Sequence, residues 1–515
     1  MLTVDMVRAG ARRHRDRVAI RYGDDALTFQ QVDEAASRMA NTLIGVGVEP
    51  GERVALLLGN GLWTVPLDFA CLKARVCRVP LNARLSAEEH ARMLIDAGVR
   101  TLVYEAALAG RAAELRERLH GLRTLSLGTG LGTGRTGDRD LLEEMGAASA
   151  TDPRLPARPD DVILALYTSG TTGTLKAAQH TQASYAAIVA NILANLLSPA
   201  RDDVMLHAAP LIHASGTFVL PFWLRGAQAA VLDGFDPQGY LPAASRFGVT
   251  HANLVPTMLQ MLLANGEAGA DLSRLRSVIY GASPMPRPVI EEALEAWGPI
   301  FTQYYGQTEA PLCLSVLAAE DHVGPDAPLG SCGQPAIDAE IRLVGEDGAD
   351  VAPGQPGEVA VRAPFAMAGY LGAPELNAAT FLGDGWLRTR DVARFDERGF
   401  LHLVDRTSDM IVSGAYNVYP REVEDALHTH PAVAECAVVG APDERWVEAV
   451  VAFVVRRPGA EVTGAALTEH VRARLAGYKV PKRVEFVPAI PKSGVGKILR
   501  RELRDPLWAG VERAR

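Results

Sequence analysis

The chain has 515 residues, 48% hydrophobic and 22% charged, with a formal net charge of −9. That length exceeds one ordinary core, so two or three domains are expected, and the composition excludes a disordered chain. The acidic balance argues against a nucleic-acid surface as the main partner.

Five cysteines (Cys71, Cys77, Cys313, Cys332 and Cys436) form no CxxC pair. This predicts buried thiols, a reducing compartment and no metal–thiolate site. The first twenty residues lack an apolar core, and no uninterrupted apolar run is long enough to span a bilayer. The expectation is therefore a cytoplasmic protein with no stable membrane anchor. Lysine occurs only at positions 73, 176, 479, 482, 492 and 497. The compact ammonium kept in Gly-rich surroundings at Lys176 and Lys497 suggests chemistry.

Residues 1–120 alternate between helix and strand patterns. Helices are predicted over 7–17, 63–74 and 87–97, and strands over 54–58 and 76–80. That order predicts α/β layers around a largely parallel sheet. The Gly/Thr tract 128–137 reads as a surface loop.

An apolar strand over 162–167 then runs into Thr168-Ser169-Gly170-Thr171-Thr172-Gly173-Thr174, followed by Lys176. Such a loop turns backbone N–H groups and hydroxyls toward one point, and Lys176 adds a charge suited to phosphate. The spacing is not that of a Walker A loop, because Lys176 lies three residues past Gly173 and Ala177 follows it. An ordinary Gly/Thr turn is the bland alternative.

A buried apolar helix is expected over 183–197. His207 and His213 then flank an apolar turn that ends in Ala214-Ser215-Gly216. Strands are predicted over 229–232, 252–255 and 277–280, the last running into Gly281-Ala282-Ser283. Small residues at a strand's carboxyl end let a flat ring approach the backbone.

Residues 301–309 read FTQYYGQTE. Tyr304 and Tyr305 offer faces for a purine with Gly306 leaving room beneath, and Thr308 and Glu309 are hard oxygen ligands suited to Mg²⁺. Thr-Glu ahead of a helix is also capping chemistry. Asp391, placed at a strand end, can accept two ribose hydroxyl hydrogen bonds. Near the C-terminus, strands are expected over 433–439 and 449–455. Lys497 sits on a Gly-rich tip that can enter and leave a closed site, with a basic surface turn as the bland alternative.

Taken in order, these segments resemble the adenylate-forming superfamily, in its acyl-CoA synthetase branch. The resemblance spans nearly the whole chain. It implies a large N-terminal AMP-binding domain of layered α/β subdomains, residues 1–404, and a smaller mobile α+β domain, residues 405–515. It further implies ATP phosphates in the 168–176 loop, adenine beside Gly281–Ser283, and His213 closing over the carboxylate. Arg406 would contact nucleotide, Ser408 would be the hinge, and Ser413-Gly414-Ala415 would border the pantetheine arm of coenzyme A. Lys497 would bridge carboxylate and α-phosphate. ATP, Mg²⁺ and coenzyme A are the implied cofactors. The implied reaction is acyl-AMP formation followed by thioester formation.

The sequence departs from the family pattern at Leu175, Ala177, Arg390, Ser408 and Ala415. Either these are neutral, or one half-reaction is weak and acyl-AMP comes from a partner enzyme. Ala214-Ser215-Gly216 replaces the Phe-Asp pair of amino-acid loaders and argues against an amino-acid substrate. Loading of an aryl acid onto a carrier-protein thiol stays open, as does a homodimer. The pocket near His207, His213, Val255, Tyr280 and Gly306 reads as apolar, which suits a fatty, alicyclic or aryl monocarboxylic acid.

Overall fold

A computed structural model describes residues 1–128, 139–169, 175–212, 214–266, 269–406, 409–413, 416–443, 447–492 and 498–509, with backbone alone at Ser169, Leu175, Asp405, Arg406, Val412, Tyr416, Asn417 and Val447. Gly170–Gly173, His213, Ser408, Gly414, Ala415 and Lys497 lie outside the described residues.

The large unit is built on three sheets. In the first, strands 18–22, 228–231, 204–207, 251–254, 277–281 and 301–307 run parallel, with antiparallel strands at both edges. In the second, six parallel strands from 139–140 to 162–169 are extended by antiparallel 175–181 and 369–370. Parallel strands are covered on both faces, so they read as continuous apolar runs, as Val54–Leu57 does. The third sheet is antiparallel, from residues 340–406. A C-terminal α+β unit carries its own five-stranded sheet and its own core around Val423, Val438, Val450 and Leu467.

Most predicted elements occur within a residue or two. The helix expected over 7–17 runs Thr3–His14, because its buried stripe of Val4, Val7 and Ala11 begins upstream. The strand expected over 433–439 extends through Asp443, paired along its length with Val447–Arg456. All five cysteines are buried free thiols. Among the described residues no helix is long and apolar enough to cross a membrane.

Seven strands frame the candidate site: β1 (Val162–Ser169), β2 (Leu175–Thr181), β3 (Phe301–Gln307), β4 (Ala310–Leu317), β5 (Gly369–Tyr370), β6 (Trp386–Phe395) and β7 (Leu401–Arg406). β1 and β2 form an antiparallel hairpin that pairs Thr168 with Lys176 and Tyr167 with Ala177. β3 and β4 form another, with Thr308 and Glu309 as its turn. No helix follows Glu309, so capping chemistry does not explain the pair. Residues 367–371 stitch the two hairpins together: Met367 N donates to Glu309 O (2.8 Å), Ala368 N to Gln179 O (2.8 Å) and Leu371 N to Ala177 O (2.9 Å).

Candidate active site

The two hairpins converge on one polar cluster. Lys176 Nζ lies 3.0 Å from Glu309 Oε1 and donates to the Tyr370 hydroxyl at 2.6 Å. Tyr370 in turn donates to the same Glu309 oxygen at 2.5 Å. Burial opposes the charge on Glu309, but the Lys176 ammonium and the hydrogen bonds from Tyr370 and Lys176 outweigh it and hold the carboxyl below its ordinary value. Glu309 is thus an ionised, nearly buried carboxylate. Both bonds fall on Oε1. A hard carboxylate oxygen of this kind would suit Mg²⁺. Among the described residues no group of three or more His, Cys, Asp or Glu could hold a metal.

Three residues that sequence reasoning missed fix this cluster. Asn377 grips the Tyr370 backbone on both sides, accepting from its N–H at 2.7 Å and donating to its carbonyl at 3.0 Å. His180 on β2 bonds Thr308 O at 2.8 Å through Nε2. Burial pushes this ring down to about 4, so it is neutral at pH 7, and the carbonyl acceptor puts the proton on Nε2. Tyr370 itself is the third. Tyr370 and His180 carry no local signal, since their partners lie between 61 and 194 residues away for Tyr370 and 128 away for His180, and Asn377 matters only through the placement of Tyr370.

The second cluster is Tyr305 with Asp391. The Tyr305 hydroxyl donates to Asp391 Oδ2 at 2.7 Å, and both residues are buried. Burial, reinforced by the Asp391 charge, pushes the phenol well above its ordinary value, so it remains a neutral donor. Asp391 sits inside β6, not at a strand end as expected, and its backbone is in register with Arg406 of β7. Thr389–Asp391 is a bulge in the pairing of β6, and Arg390 there has φ +65°. Glycine adopts that conformation without strain, whereas a residue with a Cβ, such as arginine, rarely does. Here Arg390 holds the bulge through its N–H to Glu358 Oε1 (3.1 Å) and Nη2 to Ala379 O (3.1 Å). Ala177 needs no such account: it is a buried strand residue with ordinary backbone.

The small-residue positions serve the backbone. A Cβ on Gly306 would lie 2.2 Å from Leu312 O, and one on Gly281 2.5 Å from Tyr304 O. Gly306 therefore admits the facing strand, where room beneath a purine was expected. Ala282 holds φ +67° and is exposed, and Ser283 is half-buried beside it.

The expected acyl-pocket residues are not gathered in one place. Tyr280 faces the core formed with Phe301 and Leu254, and its hydroxyl bonds His322 Nε2 at 2.8 Å. Val255 packs against that same core. His207, by contrast, follows Met205 on the opposite face of the sheet, which is shared with Ile279, Tyr304 and Phe218. Its Nδ1 bonds Ser215 Oγ at 2.9 Å, and burial pushes the ring down to about 4. Asn60 staples the turn beyond it, accepting from Leu211 N (2.8 Å) and donating to Ala209 O (3.1 Å) and Leu232 O (2.9 Å). In the C-terminal unit Ser413 is buried on a strand of the small sheet. Lys492 and Ile498, the described residues on either side of 493–497, form a β-bridge.

Residues 7–371 match the AMP-binding enzyme family, and residues 422–497 match the AMP-binding enzyme C-terminal domain. The chain is 39% identical over 497 residues to a feruloyl-CoA synthase of Amycolatopsis, covering 96% of each protein. It is similar to the solved amide bond synthetase of Marinactinospora thermotolerans (32% identity, TM-score 0.88, covering 98% of this chain and 99% of that one). It is also similar to the o-succinylbenzoate CoA synthetase of Bacillus subtilis, solved with its acyl-adenylate intermediate (31% identity, TM-score 0.86, 97% and 98%). With two hairpins meeting at Lys176 and Glu309, and similarity along nearly its whole length, the chain belongs to the AMP-binding enzymes, in the acyl-CoA ligase branch of the adenylate-forming superfamily.

Proposed function

We propose that the protein activates an aryl or aryl-alkyl monocarboxylic acid as its acyl-AMP and passes the acyl group to coenzyme A. The observation that carries the site assignment is the Lys176–Glu309–Tyr370 cluster at the meeting of two hairpins. The aryl class draws on the relatives, which include a feruloyl-CoA synthase and an o-succinylbenzoate CoA synthetase.

In the first step the carboxylate oxygen attacks the α-phosphorus of ATP and pyrophosphate leaves. Lys176, reaching out of β2 with its side chain 24% exposed, exchanges part of its contact with Glu309 for a phosphate oxygen. Glu309 would hold Mg²⁺, which when bound neutralises charge on the phosphates. Asp391, fixed by Tyr305, accepts from ribose hydroxyls, with Arg406 and the 281–283 loop beside the nucleotide. Lys497 would stabilise charge developing between carboxylate and α-phosphate, an effect of about 10²–10³ in rate. In the second step the thiolate attacks the acyl carbonyl and AMP leaves. Residues 405–515 would turn about Ser408 and bring Ser413-Gly414-Ala415 to the pantetheine arm.

The test is a panel of aryl, alicyclic and fatty acids with ATP, Mg²⁺ and coenzyme A, following pyrophosphate release and thioester together. Thioester with aryl acids upholds the reading. Pyrophosphate release without thioester, with product formed only when an amine or a carrier-protein thiol replaces coenzyme A, overturns it.

A further inference from the structure

Two helices end at one groove on the amino side of the first sheet. Its volume is about 360 Å³, and it is lined by Arg13 and His14 at the end of helix Thr3–His14, by Arg201, and by Leu224 and Arg225 at the end of helix Val219–Arg225. Arg201 and Arg225 come just before strands 204–207 and 228–231, which run parallel to β3, and the far end of β3 leads into Thr308 and Glu309. The groove and the Lys176–Glu309 cluster therefore lie at opposite ends of the sheet.

Part of the positive charge here serves the backbone. His14 Nε2 lies 3.2 Å from Leu224 O, Arg17 Nε donates to Gly226 O at 2.9 Å, and Arg225 Nε donates to Pro199 O at 3.3 Å. Main-chain carbonyls near helix ends occupy these three side chains, and Arg17 also pairs with Asp202. Arg13 and Arg201 differ. Both are exposed, and among the described residues neither guanidinium has a hydrogen bond or an ion pair. They converge on one ring: burial holds His14 below its ordinary value despite its bond to Leu224 O, and the charges of Arg201, Arg13 and Arg17 add to that effect. The chain as a whole carries −9, so this is a local excess of cations against the overall balance.

We infer that this groove is a second anion site, separate from the catalytic one, in which Arg13 and Arg201 grip a condensed phosphate: pyrophosphate or the phosphate chain of a nucleotide. A guanidinium presents a planar fork that matches two phosphate oxygens. A single phosphate leaves much of a volume of about 360 Å³ unfilled, whereas a condensed phosphate has an anionic group at each end, one for each unpaired guanidinium. The described lining residues include no Phe, Tyr or Trp on which a base could stack, so the phosphates carry the recognition. The site does not depend on which acid the enzyme activates.

The first test uses the full-length wild-type protein. Arginines are modified with phenylglyoxal in the presence of pyrophosphate, ADP, AMP or inorganic phosphate, and the rates at Arg13 and Arg201 are read by peptide mass. With pyrophosphate at about ten times its Kd, modification of both should slow about 10-fold, while AMP and inorganic phosphate should leave it unchanged. Protection by pyrophosphate alone assigns the free anion, and equal protection by ADP assigns the phosphate chain of a nucleotide; either upholds the site. The second test titrates pyrophosphate calorimetrically into wild type and Arg13→Gln/Arg201→Gln. The double variant should bind one pyrophosphate fewer per chain, with its kcat and KM for ATP within about 2-fold of wild type. Modification unaffected by pyrophosphate, equal protection by inorganic phosphate, or the same stoichiometry in both proteins would overturn the inference. So would a folded double variant that has lost ligase activity, because the groove would then not be separate from catalysis.

Discussion

Removing the Lys176 ammonium should reverse the sign of Glu309's contribution to stability against pH. In the native protein Glu309 titrates below its ordinary value, so its ionised form adds stability that is present at neutral pH and lost only as pH falls through that lowered value. Lys176→Met leaves a carboxylate that is 9% exposed at its side chain with Tyr370 as its remaining described partner. Breaking a fully buried pair costs about 3–5 kcal/mol; partial exposure of Lys176 reduces this to about 2 kcal/mol at pH 7.5. Burial then dominates and raises the carboxyl above its unfolded value. Native Glu309 binds the proton first, so the variant regains stability as pH falls from 7.5 to 5.5, where the native protein gains nothing from this group. The assay is the urea midpoint of both proteins at both pH values, taken as a difference so that other titrations cancel, with Lys176→Met/Glu309→Gln as the control. The double variant should lose less than the single one and show no recovery in acid. A deficit that stays constant with pH, or a double variant worse than the single, would refute the buried-pair reasoning.

Other expectations follow from the same geometry. Gly306→Ala places a Cβ 2.2 Å from a main-chain oxygen of β4, so soluble expression or the urea midpoint should collapse, by about 3 kcal/mol or more. Asn377→Ala frees the Tyr370 backbone from two hydrogen bonds and should cost about 1–2 kcal/mol, with KM for Mg·ATP raised more than kcat is lowered. His180 is held near 4 by burial, below the ordinary 6.5, so the unfolded chain binds its proton first and native stability falls as pH drops from about 6.5 toward 4. Over that span the loss reaches about 3 kcal/mol, and His180→Gln should flatten the urea-midpoint profile there.

The motifs and their order were legible because each lies within one strand and the turn after it. Val162–Tyr167 reads as a buried strand from its own apolar run, and Lys176 stands out as a lone lysine beside glycine and threonine. What the local sequence does not carry is pairing. Whether Glu309 precedes a helix or turns a hairpin depends on β4 folding back, which it does with a bulge opposite Gly306. Tyr370 and Asn377 matter only because 367–371 threads between two hairpins. Tyr280 and His207 were grouped as pocket neighbours, yet strand parity sets them on opposite faces of one sheet, and parity across strands needs a register that sequence alone does not give.

The most direct measurement is a two-stage reaction of the full-length protein on one aryl acid. The enzyme is first mixed with acid, Mg²⁺ and ATP alone, and the nucleotides are resolved by chromatography and mass. Coenzyme A is then added. The account predicts acyl-AMP and pyrophosphate in the first stage, in roughly equal amounts, and conversion of that acyl-AMP to acyl-CoA and AMP in the second. Thioester formed with ADP and phosphate as products, or acyl-AMP that coenzyme A fails to discharge, would contradict it.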